Sequence, residues 1–203
     1  ARAAYSAFIE ENGFDAAGIG APVRTFLARL KILHEAFGED WPKLSIEDLA
    51  ATVKDWLPAA LGGGSFSMPS DGAVTQALKQ LLGWPKAQEI DQLAPTSIPL
   101  PGGRQVGIDY LDEKAPLIET KAQELYGLTR HPAIADGRVP VTLQLISPAG
   151  RPIALTRDIA GFWRGGYVDM AKDMRAQYPK HDWPDDPAGA KPHAGMTKKR
   201  LNL

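Results

Sequence analysis

The 203-residue sequence contains no cysteine. Disulfides, thiolate nucleophiles and cysteine-ligated zinc are therefore excluded. The absence fits a reducing compartment, so a cytoplasmic location is expected. No apolar run approaches the roughly 18 residues needed to cross a bilayer, and no membrane partner is expected. The opening residues, ARAAYSAFIE, lack the basic and apolar regions of a secretory leader, and they also lack Met. Their simplest reading is a piece of a longer chain. Nucleotide motifs are missing too. LGGGSFS has glycines but not the lysine or spacing of a phosphate loop, and GIG at Gly18–Gly20 follows no strand. No G-x-S-x-G elbow, H-E-x-x-H pair or calcium loop is present. Neither a catalytic residue nor a metal site is expected.

The charge that is present is unevenly spread. The net charge is −1. Residues 1–64 and 65–150 are each net acidic, whereas 151–203 carry 10 Lys/Arg against 6 Asp/Glu. Only the last quarter gives an electrostatic case for an anionic partner.

Hydrophobic periodicity divides the chain. In APVRTFLARLKILHEAFG, Val23, Phe26, Leu27, Leu30, Leu33 and Phe37 share one helical face, with Pro22 in the first turn and Gly38 as the stop. SIEDLAATVKDWLP repeats the pattern. Ser45 is its N-cap, Leu49, Val53, Trp56 and Leu57 form the buried stripe, and Pro58 limits the helix. After the break LGGGSFSMPS, a third helix is predicted over 71–82, with Val74, Leu78, Leu81 and Leu82 inward. A short fourth follows Pro85. Near Pro95 the period becomes two. TSIPLPGGRQVGIDYLD reads as two short strands about a Pro-Gly-Gly turn, with Val106, Ile108 and Tyr110 on the buried face. Leu117 and Ile118 open a strand that turns helical through Gln123, Glu124 and Leu125. VPVTLQLISPAGRPIALTRD reads as a hairpin, with Val141, Leu143, Leu145, Ile153 and Leu155 inward. From Asp158 the helical period returns through Ile159, Trp163, Tyr167, Met170 and Met174. Gly165-Gly166 inside that helix points to a close backbone contact. Beyond Tyr178 the composition reads as a loop fading into a disordered tail.

The expected class is α+β. A helical portion covers 1–94, a small β-barrel or curled sheet 95–157, and a helix with a basic tail 158–203. His34 reads as packing. His181, with Asp182, Asp185 and Asp186 nearby, has the donors of a metal site, but a solvated loop pinned by Trp183 and two prolines is the favoured reading. Arg151, Arg157, Arg164, Lys172, Arg175, Lys180 and the terminal Lys198, Lys199 and Arg200 supply cations for phosphates. Trp163 and Trp183 are aromatics on which bases stack, although Trp163 and Tyr167 sit on the core stripe. Spacing alone leaves a nucleic-acid face and ordinary solvated faces both open.

LISPAGRPIALTRDIAGFWRGGYVDMAKDMRAQYPKHDWPDDP strongly resembles the C-terminal region of the HrpB-type ATP-dependent helicases, bacterial relatives of the DEAH-box RNA helicases. The resemblance extends upstream through GRVPVTLQL, QELYGL, LPGGRQVGIDY, WPKLSIEDLAATVKDWLPAALGG and VRTFLARLKILHEAF. Thr120-Lys121-Ala122 departs from the family's V-R-[LM], and Lys121 lacks arginine's planar fork. GMTKKR stands for the usual R-R-T-K-[KR]. The resemblance implies a parent that hydrolyses ATP with Mg and acts on nucleic acid, RNA in first place. It also implies that the motor lobes lie upstream, that this part binds no cofactor, and that its β portion is OB-like. A non-catalytic accessory role follows: guiding single-stranded RNA and packing against the motor lobes. Arg104, Lys121, Arg151, Arg157 and Arg164 are then candidate phosphate contacts, with Lys198, Lys199 and Arg200 as a non-specific tether. The rival is a protein-interaction module anchored by Trp183. Dimerisation of an isolated helical portion through uncovered apolar surface is a further expectation.

Overall fold

The structure is a computed structural model that describes residues 7, 11, 20–52, 55–56 and 70–193. It divides into two compact units, Ala1–Pro95 and Thr96–Leu203. Among the described residues no helix is long and apolar enough to cross a membrane.

The first unit is helical. Helix α1 (Ala21–Phe37) buries Val23, Phe26, Leu27, Leu30 and Leu33, as the spacing predicts. Proline occupies its first turn, and the Gly38 N–H caps His34 O at a φ of +69° that favours glycine. The α1 N-terminus is tied down when Gly20 N–H donates to Asp71 Oδ1 at 2.8 Å. A Cβ on Gly20 would meet Asp71 Oδ2 at 2.4 Å, so a larger residue would have to displace that carboxylate. Helix α2 (Ile46–Ala51) begins with a reciprocal cap, in which Asp48 N–H donates to Ser45 Oγ and Ser45 N–H to Asp48 Oδ2. Leu49 and Trp56 are buried. Val53, Leu57 and the LGGGSFSMP break lie outside the described residues.

Helix α3 (Asp71–Leu82) starts at its Ser70 cap and packs, with α4 (Trp84–Leu93), on α1. Val74, Ala77 and Leu78 are buried, but Leu81 is 53% exposed. The covered stripe ends one turn before the helix does, which corrects the inward placement of Leu81. A buried charge completes this unit. The Arg29 guanidinium donates to Ala94 O (2.6 Å) and Ile90 O (3.1 Å), at the C-terminal end of α4, and to Asp91 Oδ1 (2.6 Å).

The second unit opens with the expected hairpin, β1 (Ser97–Pro99) and β2 (Gln105–Gly107), paired Ile98 to Val106. Strand β3 (Leu117–Lys121) passes into a 3-10 turn, Ala122–Glu124. Strands β4 (Ala133–Ile134) and β5 (Val139–Pro140) pair with each other. A three-stranded sheet of order β3-β6-β7 joins β3 in parallel to β6 (Thr142–Ile146), and β6 antiparallel to β7 (Pro152–Thr156). The OB-like barrel is not closed. Strands of two to five residues fall into three small sheets, too short to wrap around a common axis. As the edge of its sheet, β7 leaves Leu155 46% exposed rather than inward.

Helix α5 (Ile159–Arg164) and helix α6 (Gly166–Gln177) replace the single helix expected. Gly165, at φ −125° and ψ −91°, ends the first and caps the second. The close contact predicted for the glycine pair is local, since a Cβ on Gly166 would stand 3.1 Å from the Phe162 ring. Ile159, Trp163, Tyr167, Met170 and Met174 are all buried. Tyr126, Trp163 and Tyr167 meet with ring centroids 5.2 to 6.2 Å apart. The segment after Tyr178 is docked, not a fading tail, as far as His193, whose N–H donates to Gln123 O.

Candidate nucleic-acid interface

Strand register decides which candidate cations meet. In the parallel pair Lys121 stands opposite Ile146, and across the hairpin Ile146 stands opposite Pro152. The 147–150 turn then closes with Ser147 N–H on Arg151 O (2.8 Å) and Arg151 N–H on Ser147 Oγ (3.1 Å). Lys121 and Arg151 therefore share one end of the sheet. Arg104 belongs to this end but is already paired. Its Nε and Nη2 grip Glu124 Oε1 and Oε2 at 2.7 and 2.8 Å, while Thr120 Oγ1 donates to Oε2 at 2.7 Å. Burial pushes the Glu124 carboxyl up. Hydrogen bonds from Arg104, Thr120 and the Lys121 N–H outweigh that and hold it below the ordinary carboxylate value.

Arg157 lies at the opposite end of the sheet. Its Nε donates to Thr142 Oγ1 (2.8 Å), and Nη2 reaches Lys114 O (3.3 Å) and Ala115 O (3.5 Å). Arg164 is exposed at the end of α5. The five candidate phosphate contacts do not form one cluster, and Arg104 and Arg157 both bond within the fold. Lys198, Lys199 and Arg200 lie outside the described residues.

Lys180 belongs to the basic run noted in the sequence but not to the residues chosen there as candidate phosphate contacts. Gln123 Nε2 donates to Asp182 O (3.3 Å), so the segment carrying His181 and the exposed Lys180 runs near the end of β3 where Lys121 stands. Burial first, and then the Lys121 charge, lower the His181 pKa. Among the described residues Lys121, Arg151 and Lys180 have no carboxylate within ion-pair distance. Glu119 on the same strand accepts from Gln144 instead.

Trp183, the expected docking anchor, is 3% exposed. Its indole faces Tyr178 O, and its carbonyl accepts from Arg175 Nε (3.0 Å) and Nη2 (2.6 Å). Trp163 is buried too, and its indole donates to Leu128 O. Neither ring is open to stack on a base. Arg175 is directed to Trp183 O and Asp185 Oδ1 rather than to the carbonyls of its own helix. Among the described residues no three acidic or histidine side chains converge as a metal site.

His193 is buried and His131 and His181 are half-buried, and burial disfavours the charged form of each ring. His131 Nδ1 accepts from Ile159 N–H (3.1 Å), so Nε2 carries the proton given to Val141 O (2.8 Å). Burial lowers its pKa, and the Arg157 charge adds to this, against the pull of Val141 O and Asp158. Burial also lowers His193, against the pull of Asp182, whose Oδ2 lies 4.0 Å from Nε2; neither ring nitrogen has a hydrogen-bond partner among the described residues. All three folded-state values are depressed below 6.5. The unfolded chain therefore takes up protons first. The stability is present above pH 6.5 and is lost as pH falls below it. Thermal unfolding followed by tryptophan fluorescence should show Tm falling between about pH 7.5 and about pH 5.5, less steeply in His131→Asn. A Tm independent of pH over that range would contradict the assignment.

Residues 56–187 match the family described as ATP-dependent helicase C-terminal. The ATP-dependent RNA helicase HrpB of Escherichia coli (strain K12) is 40% identical over 161 residues, covering 79% of this chain and 20% of that protein. The crystal structure of the E. coli DExH-box NTPase HrpB superposes with a TM-score of 0.75 at 36% identity, over 88% of this chain and 22% of that one. The crystal structure of the Escherichia coli DEAH/RHA helicase HrpB gives 0.67 at 32% identity, over 88% and 23%. The chain thus spans about a fifth of the length of the relatives it matches.

Proposed function

The chain belongs to the ATP-dependent helicase C-terminal family of HrpB-type proteins, and from that premise we propose that it is a non-catalytic accessory part of an RNA helicase that guides single-stranded RNA. ATP and Mg belong to the motor lobes of the parent, which this part packs against. What supports the reading is the sheet end that strand register gives to Lys121 and Arg151, with the segment carrying Lys180 running nearby through Asp182 O on Gln123; among the described residues none of the three cations has a carboxylate within ion-pair distance. A flexible, singly charged backbone is the ligand such a group suits, because each phosphate neutralised releases counterions. Arg104 frames the end while compensated by Glu124, and the Lys198–Lys199–Arg200 tail adds non-specific charge.

The test is binding of fluorescent single-stranded RNA to the full chain at about 50 and about 200 mM salt. Three phosphate contacts give a salt slope of about −2, so affinity should fall roughly 20-fold between the two. Changing Lys121, Arg151 and Lys180 together to Ala should remove most of that slope, and Arg157→Ala much less. Salt-insensitive binding, or a triple variant that binds like the parent, would overturn the reading.

A further inference from the structure

Four of the five tryptophans, Trp41, Trp56, Trp163 and Trp183, are at most 5% exposed. The fifth, Trp84, is 73% exposed, and Leu81 before it is 53% exposed. The one open indole is the residue type most enriched at contact sites, which makes Trp84 a candidate contact residue.

Trp84 stands on a groove of about 480 Å³ between α3 and α4. Helical spacing builds both walls. Gln76, Lys79 and Gln80 occupy i, i+3 and i+4 of α3, while Trp84, Gln88 and Asp91 occupy i, i+4 and i+7 of α4. The two charges in the lining cancel, with Lys79 Nζ on Asp91 Oδ2 at 3.1 Å. The buried Arg29 holds the other Asp91 oxygen from behind at 2.6 Å. The three glutamines are exposed, and their amides, with no protein partner among the described residues, are open to a ligand.

We propose that this α3–α4 groove takes one nucleobase of single-stranded RNA, stacked on Trp84 with its edge met by the Gln76, Gln80 and Gln88 amides. The volume suits a base with its sugar. A lining without net charge disfavours a phosphate or a charged peptide. An apolar protein side chain would cover Trp84 but strand three amides, and each stranded amide carries a desolvation penalty. A base satisfies both demands, because it has a π-face to stack and donors and acceptors on its edge. The proposal rests on the RNA reading above, but it assigns a base contact where that reading assigns phosphate contacts.

The two are separated by comparing a short oligoadenylate with an abasic strand of equal length, against the parent, Trp84→Ala and Trp84→Phe. The base-bearing strand should quench the emission of the exposed indole, and the abasic strand should not. Trp84→Ala should bind oligoadenylate at least about fivefold more weakly, with an unchanged salt slope and unchanged abasic binding. Trp84→Phe should keep most of the affinity. Equal binding of oligoadenylate by the parent and Trp84→Ala overturns the base site, with the phosphate reading intact. If neither strand binds the parent, the phosphate reading fails alone, and adenosine monophosphate decides the groove. Quenching that is lost in Trp84→Ala sustains the proposal, and no quenching overturns it.

Discussion

Replacing Arg29 by alanine is expected to destabilise the helical unit by about 3 kcal/mol or more, the cost typical of removing one partner of a buried charged network. The guanidinium is 6% exposed and supplies donors to three acceptors at once. Two are carbonyls at the C-terminal end of α4, where the helix dipole is negative and the chain offers few other donors. The third is Asp91. Burial pushes its carboxyl up, but hydrogen bonds from Arg29 and Lys79 win and hold it below the ordinary value. Arg29→Lys keeps the charge but lacks the fork to reach all three, so it should recover part of the loss and not all. Asp91→Asn should cost less, because Asp91 is 53% exposed and its charge is screened. Urea unfolding followed by helical circular dichroism measures the series. A loss under about 1 kcal/mol for Arg29→Ala would show that water replaces the guanidinium freely.

Arg29 also marks the limit of sequence reading in the first unit. The helices themselves were legible, because their signals are local: Pro22 and Gly38 about α1, Ser45 before α2, and the LGGGSFSMPS break with the apolar spacing after it for α3. An arginine on an apolar face looks in sequence like a solvated neighbour of the stripe. Its acceptors lie some sixty residues away, so only packing shows its use. The same holds for Trp84. Nothing in LLGWPKAQEI separates an exposed tryptophan from a core one until α3 and α4 are set side by side.

In the second unit the hairpins were legible from their turns, Pro101-Gly102-Gly103 and Pro148-Ala149-Gly150, because turn chemistry fixes antiparallel register. The parallel pairing of β3 with β6 was not. It joins segments about 25 residues apart with no turn between them to set a register. That pairing splits the basic residues, placing Lys121 and Arg151 at one end and Arg157 at the other. Closure into a barrel was overestimated because many short strands with turns are common to barrels and to broken sheets alike. The glycine pair was read as a contact inside one helix, where two glycines serve equally well to end one helix and start another.

Trp183→Ala is expected to lower the stability of the second unit by about 3–5 kcal/mol, as for a buried tryptophan, and not to leave a folded chain with one lost partner. The tryptophan is the middle of a strap whose three successive carbonyls are all held from the core. Asp182 O accepts from Tyr126 and Gln123, Trp183 O from Arg175, and Pro184 O from Tyr167. A segment with prolines at 184 and 187 donates few backbone hydrogen bonds, so side-chain donors and the indole do the fastening. Truncating the indole leaves a cavity under carbonyls that remain bonded, so the loss is one of packing, and Trp183→Phe should recover about half or more. The strap also carries His181 and Lys180 to Lys121. Its loosening should therefore weaken RNA binding in step with stability, whereas Arg151→Ala should weaken binding at unchanged Tm. A Trp183→Ala variant within about 1 kcal/mol of the parent would mean that the ring is not buried in solution. Its exposure would then restore a docking role for the strap and remove the structural reason for the basic end to exist.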